Sequence, residues 1–106
     1  RKFHAGIDIR ARRGTPIFAP MEGLVLETGF NRGLGRSLKI ACANQTILTF
    51  AHLSKFHCKT GKRVRRGDLV AYVGSSGLTT GPHLHFTVKR NGRFINPIHL
   101  LTPVSK

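Results

Sequence analysis

Apolar residues fall in short runs along this chain, and Gly, Pro and Asn break them at close intervals. Such punctuation, with period-two alternation inside the runs, predicts an all-β domain. Ile7-Asp8-Ile9 alternates. Thr15-Pro16-Ile17-Phe18-Ala19-Pro20 is bounded by prolines and predicts a short edge segment. Gly23 to Thr28 predicts a strand and Asn31 to Gly35 a loop. Ser37 to Ala43 and Gln45 to Ala51 flank Asn44 and predict a hairpin. Turns are expected at Lys59-Thr60-Gly61-Lys62 and at Arg66-Gly67-Asp68, with a strand over Leu69 to Val73. Gly74 to Pro82 predicts a flexible loop, and Asn91-Gly92 a tight turn. Asn96 as N-cap and Pro97 at the first helical position predict one short helical turn through Leu101.

Gly81-Pro82-His83-Leu84-His85-Phe86-Thr87-Val88 carries the most chemistry. It starts with turn residues and continues in strand-like alternation. Side chains two apart on a strand share a face. His83 and His85 therefore project together, while Leu84 and Phe86 turn into packing. Two imidazoles on a stiff strand suit a metal site or an acid–base pair; two solvated histidines are the plain alternative.

At 106 residues the chain is expected to form a single domain over 1–106. No apolar run approaches the roughly 18 residues of a membrane helix. No signal peptide is visible before Phe3-His4. The first candidate functional residue, His4, sits only four positions in, so the chain is expected to be the C-terminal part of a longer protein, whose signal or anchor lies upstream if it is exported.

Charge changes the picture more. The chain has 18 Lys and Arg against 4 Asp and Glu, a net charge of +14. Such a field favours polyanions, including acidic cell-wall polymer. Arg10-Ala11-Arg12-Arg13 and Lys62-Arg63-Val64-Arg65-Arg66 form two basic clusters, each by itself a solvated face. No aromatic interleaving or nucleic-acid motif accompanies them, so no nucleic-acid partner is expected. Cys42 and Cys58 allow a disulfide in an exported protein without requiring one. A structural metal site from Cys42, His57 and Cys58 lacks the usual Cys-x-x-Cys pairing.

His4 and Asp8 sit around Gly6, and Asp8 is one of only four acids. One imidazole and one carboxylate from here, with one imidazole of His83 or His85, give three N/O ligands. That set suits a catalytic zinc ion with its fourth position open to water. Spacing does not say which of His83 and His85 holds the metal. His52, in Thr49-Phe50-Ala51-His52-Leu53-Ser54 at an expected strand end, is neither required nor excluded. His57 and His99 are expected at the surface.

His4-Ala5-Gly6-Ile7-Asp8, then Ala51-His52-Leu53-Ser54, then Gly81-Pro82-His83-Leu84-His85-Phe86 resemble the lysostaphin-like zinc metallopeptidases, the M23 or LytM-type peptidoglycan endopeptidases. The resemblance runs from His4 to about Leu101. It takes in Gly14 to Pro20, Gly61 to Asp68 and Val73-Gly74-Ser75-Ser76-Gly77. It implies a small antiparallel β-sheet or sandwich of the duplicated hybrid motif type, with a groove over the metal. It implies one zinc ion per chain held by His4, Asp8 and His85, with His52 and His83 flanking it as general base or transition-state stabiliser. It implies peptidoglycan peptide stems as substrate, a cell-envelope location that is periplasmic or secreted, and a monomeric isolated domain. The Thr79 to His85 segment looks closer to D,D-endopeptidases than to glycyl-glycine endopeptidases. Relatives often carry Tyr at Phe50, Glu at Thr87 and Asn at Arg36. A missing acid at Thr87 removes a potential partner orienting a ligand.

Three rival readings remain. A catalytically silent relative would bind wall or activate a hydrolase, generally having lost its ligands; here none of the five positions is missing. Pro20-Met21-Glu22-Gly23 and Val64 to Val70 resemble turns of biotinyl, lipoyl and phosphotransferase carrier domains, but no convincing acceptor lysine stands at a hairpin tip. A nucleic-acid binder would rest on charge alone.

Overall fold

Alternation does become strands in the computed structural model, which describes residues 6–77 and 79–97. Nine strands follow in order: β1 Ile7–Arg10, β2 Pro16–Phe18, β3 Gly23–Asn31, β4 Gly35–Cys42, β5 Thr46–Phe56, β6 Arg63–Val64, β7 Leu69–Val73, β8 His83–Arg90 and β9 Arg93–Ile95. Every pairing is antiparallel. The main path runs β1-β8-β5-β4-β3-β6, with β9 on β8 and β7 bridging β2 and β5. The all-β, antiparallel expectation stands. Among the described residues there is no helix, and so none long and apolar enough to cross a membrane.

The hairpins follow their turn residues. Asn44 and Gln45 have φ of 59° and 53°, and Asn91 and Gly92 have 51° and 79°. Positive φ at both central positions matches the twist of paired strands. Pro16 sits on β2, whose single partner is β7, so the missing N–H costs no shared ladder on its far side.

Period-two burial builds the core. Leu84, Phe86 and Val88 of β8, Leu48 and Phe50 of β5, and Leu38 and Ile40 of β4 all turn inward. Phe50 and Phe86 meet with ring centroids 4.9 Å apart. Their partners on the opposite side of β8, including His83 and His85, face a groove instead.

Four expectations need correction. β3 continues to Asn31, beyond Thr28. β5 does not stop at Ala51 but runs on through His52 to Phe56. Its first half pairs with β8 as far as Ala51, and its second half pairs with β7 from Leu53. The branch falls at His52. β6 and β9, two and three residues long, were not anticipated. The loop from Gly74, expected to be flexible, is fastened at Ser76: its Oγ donates to Leu53 O at 2.6 Å and accepts from Arg36 N at 2.9 Å. The expected helical turn through Leu101 and His99 lie outside the described residues, as does His4.

Cys42 and Cys58 are free thiols, each half-buried against the core. They do not join His57 in a ligand group. His57 is exposed beside the Tyr72 ring, as expected of a surface residue. Burial pushes both thiols above the ordinary cysteine value, partly countered at Cys58 by the Lys62 ammonium.

Two outcomes follow. Phe86→Ala should cost about 3–5 kcal/mol in urea unfolding, because its ring is fully enclosed. Both thiols should alkylate with iodoacetamide at pH 8 more slowly than a free cysteine, since less thiolate is present; alkylation at the free rate would contradict the burial.

Candidate metal centre

The centre begins with strand register. On the β1–β8 ladder Asp8 lies opposite His85 and Arg10 opposite His83. Directly opposed residues share a face with Cβ atoms about 4.5–5.5 Å apart. Asp8, Arg10, His83 and His85 therefore project together. On the other side of the ladder, Ile7 opposes Phe86 and Ile9 opposes Leu84, which ties the register to the core.

Gly6 lets β1 make this approach. Its φ is +84°, and a Cβ there would overlap the Thr87 methyl and the Phe86 carbonyl. Any side chain would push β1 off β8.

Asp8 Oδ1 is 2.8 Å from His85 Nδ1 and 3.4 Å from His83 Nε2. The Asp8 side chain is 65% exposed and the two imidazoles 24% and 19%. The ring of His83 is fixed from behind. Its Nδ1 lies 2.9 Å from Gly81 O and 3.0 Å from Thr79 Oγ1. A carbonyl only accepts, so Nδ1 carries the proton and Nε2 faces Asp8.

His52 arrives from β5 by a different device. The β4–β5 register shifts between Arg36 and Leu38, a bulge that leaves His52 at φ 62°. Bulges re-aim side chains in this way. Its N–H donates to Leu34 O at 2.7 Å, and its Nδ1 donates to Ser76 O at 2.8 Å. Its Nε2 is thereby left as the free ring nitrogen. The His52 ring centroid stands 5.0 Å from that of His83 and 6.0 Å from that of His85. His52 is 7% exposed, the most enclosed of the three.

Asp8, His52, His83 and His85 thus come together from β1, β5 and β8 around a cavity of about 350 Å³, also lined by Gly33, Leu34, Thr79 and Thr80. A larger cavity of about 680 Å³ adjoins it past Asp8 and His83, lined by Arg10 and Arg12. A third, about 360 Å³, adjoins it past Leu34 and His85 toward Thr87 and Phe94. The three form a groove with the imidazoles midway along it.

The donor chemistry fits zinc. One carboxylate oxygen with imidazole nitrogens suits Zn²⁺ better than the oxygen-loving Mg²⁺ or Ca²⁺. Ligand atoms on tetrahedral zinc, with bonds of about 2.0–2.1 Å, lie about 3.3 Å apart. The Asp8–His85 and Asp8–His83 separations bracket that value. Among the described residues no three such side chains complete a ligand group, and His4 lies outside them.

A family-wide sequence profile described as Peptidase family M23 matches residues 2–97. The chain belongs to peptidase family M23. The DD-carboxypeptidase/endopeptidase Mpg of Neisseria meningitidis is 39% identical over 102 residues, covering 96% of this chain and 24% of that protein. The chain thus spans about a quarter of the length of such curated relatives. A single-residue variant of the catalytic domain of the prophage-encoded M23 protein EnpA from Enterococcus faecalis is 38% identical, with TM-score 0.82 over 92% of this chain and 78% of that one. A zinc-containing peptidase from Vibrio cholerae is 29% identical, with TM-score 0.85 over 97% of this chain and 31% of that one. This M23 chain shares their antiparallel fold.

Ser76, Thr79, Gly81 and Leu34, whose backbone or side-chain oxygens aim the imidazoles, had no assigned role in the sequence. Their signal was faint: Ser75-Ser76-Gly77 stood out only within the family resemblance. Arg10 had been read only as part of a basic cluster.

Gly6→Ala should cost about 1–3 kcal/mol of stability and at least tenfold in zinc affinity, read by thermal unfolding and chelator competition. Unchanged values for both would mean that something other than this close approach places Asp8.

Proposed function

We propose that this chain is the catalytic domain of a zinc-dependent endopeptidase that hydrolyses peptide cross-links of bacterial peptidoglycan, acting in the cell envelope. His4, Asp8 and His85 would hold one zinc ion, and His52 and His83 would flank the reacting carbonyl. The observation that carries this reading is the convergence of the Asp8 carboxylate and three imidazoles midway along an open groove. Membership of a peptidase family supports it, and so does the zinc of the Vibrio cholerae relative.

A zinc ion bound there supplies Lewis acidity and brings the pKa of a bound water to about 7. The remaining chemistry belongs to the side chains. His52, with Nδ1 donating to Ser76 O, offers Nε2 as an acceptor for a proton from the attacking water. His83, with Nδ1 held by Gly81 O, turns Nε2 toward the same space. When protonated it can donate to the oxyanion that develops on the scissile carbonyl. Thr79 and Ser76 hold these rings so that little reorganisation accompanies the reaction. The open groove leaves room for a branched, cross-linked peptide on both sides of the centre.

D,D cross-links are the favoured bond because a relative at 39% identity is named a DD-carboxypeptidase/endopeptidase. Mass spectrometry of digested sacculi tests this. Cross-linked dimers should disappear and monomers accumulate; dimers left intact, with glycine bridges cut, would redirect the assignment.

Asp8→Ala and His85→Ala should lose bound zinc in metal analysis. His52→Ala and His83→Ala should keep zinc yet lose about 10²–10⁴-fold in kcat. Chelation should abolish turnover, and added zinc should restore it. Stoichiometric zinc without hydrolysis of any muropeptide would instead indicate a wall-binding module.

A further inference from the structure

Arg10 differs from the other basic residues by its place in the ladder. It lies opposite His83 on β8 and two residues beyond Asp8 on β1. Residues two apart on a strand are separated by about 6.6 Å and share a face. Arg10 therefore stands on the groove face one step from the metal-binding carboxylate. It lines the cavity of about 680 Å³ that opens past Asp8 and His83, with Arg12, Thr80, Gly81 and Pro82.

No described carboxylate pairs with either arginine; the only ion pairs among the described residues join Asp8 to His83 and His85. Asp8 is the sole acid lining this cavity, and its Oδ1 is turned to the imidazoles. The cavity thus presents two guanidinium groups, neither of them ion-paired to a described carboxylate. A guanidinium is a planar fork suited to bidentate binding of a carboxylate.

We propose that Arg10, assisted by Arg12, is a specificity-determining group that binds a free carboxylate carried by the substrate residue on the leaving side of the scissile bond. The proposal rests on the hydrolase reading above and goes beyond it by naming the substrate feature. Two sources share this chemistry. One is a terminal D-amino acid, whose α-carboxylate is free. The other is a cross-linking diamino acid, which keeps a carboxylate beside the amine that forms the cross-link. A glycine within a bridge offers neither, because its carboxyl is committed to the next amide. Arg10 would therefore select against glycyl bridges.

The test uses matched substrates with that carboxylate free or converted to a carboxamide. One pair is a cross-linked muropeptide dimer; the other is a stem pentapeptide ending in D-Ala-D-Ala. Zinc-loaded wild type should favour the free carboxylate by roughly ten- to a hundredfold in kcat/KM, the range of a charge-assisted hydrogen bond. The pair that shows the preference identifies the source. In R10Q the ratio should fall to near one, mainly through KM, and R10K should keep part of it. Arg10 is exposed, so R10Q should fold normally, which circular dichroism checks. Calorimetry with the leaving fragments alone gives a second reading that needs no turnover. The free-carboxylate fragment should bind wild type at least about tenfold more tightly than its amide, and R10Q should bind both alike.

Equal use of both forms by wild type, or an equal loss on both forms in R10Q, overturns the proposal. Failure to cleave any of the four substrates overturns the endopeptidase reading instead, while the calorimetric comparison still decides the role of Arg10.

Discussion

Asp8 and His85 are 77 positions apart in the chain, yet their carboxylate oxygen and imidazole nitrogen lie 2.8 Å from each other. The antiparallel ladder between β1 and β8 makes that contact. A slip of one residue would turn every β1 side chain to the opposite face. Asp8 would then point into the core, and Ile7 or Ile9 into the groove. The core prevents this, because Ile7 and Ile9 are packed against the cluster that contains Phe86 and Leu84. Gly6 completes the constraint by allowing β1 to close on Thr87. The same apolar contacts that stabilise the sheet therefore set the chemistry of its open face.

His52 depends on a different kind of support. A non-glycine residue at positive φ costs of order 1–3 kcal/mol and persists only where its surroundings over-determine it. Here Leu34 O holds its N–H, Ser76 O holds its Nδ1, and its ring is almost fully enclosed. Ser76 is itself clamped between Leu53 and Arg36. Gly35 and Gly77 pass so close that neither has room for a Cβ. Two segments distant in sequence are thus locked behind one imidazole. The strain offset by these contacts is what lets a single strand serve two partners, β8 before the bulge and β7 after it.

Legibility followed the range of the interaction. The shared face of His83 and His85 was readable because period two is local, and so were the turns at Asn44 and Asn91-Gly92. The continuation of β5 was not, since a bulge breaks the alternation that marks a strand. β6 and β9 are too short to show any period. Ser76 and Gly81 act through backbone carbonyls, which leave no mark in side-chain identity. Arg10 was hidden for another reason: in a chain with 18 Lys and Arg, one more cation carries no signal until register sets it opposite His83.

The basic surface and the Asp8 carboxylate act over different distances. At physiological salt, exposed charges are screened beyond about 8 Å. A net charge of +14 therefore favours encounter with polyanions in general, but it does not set the chemistry between groups in direct contact within the groove. The same field opposes a divalent cation approaching from solvent. A cation held there would depend on direct ligation, which for structural zinc sites reaches about 10–16 kcal/mol. Among the described residues Asp8 is the only carboxylate lining the groove, so it supplies the only formal negative charge there. Asp68 lies outside the groove lining and accepts from Arg65 N in a turn. In a domain this poor in acids, the β1–β8 register is what puts a carboxylate beside the imidazoles.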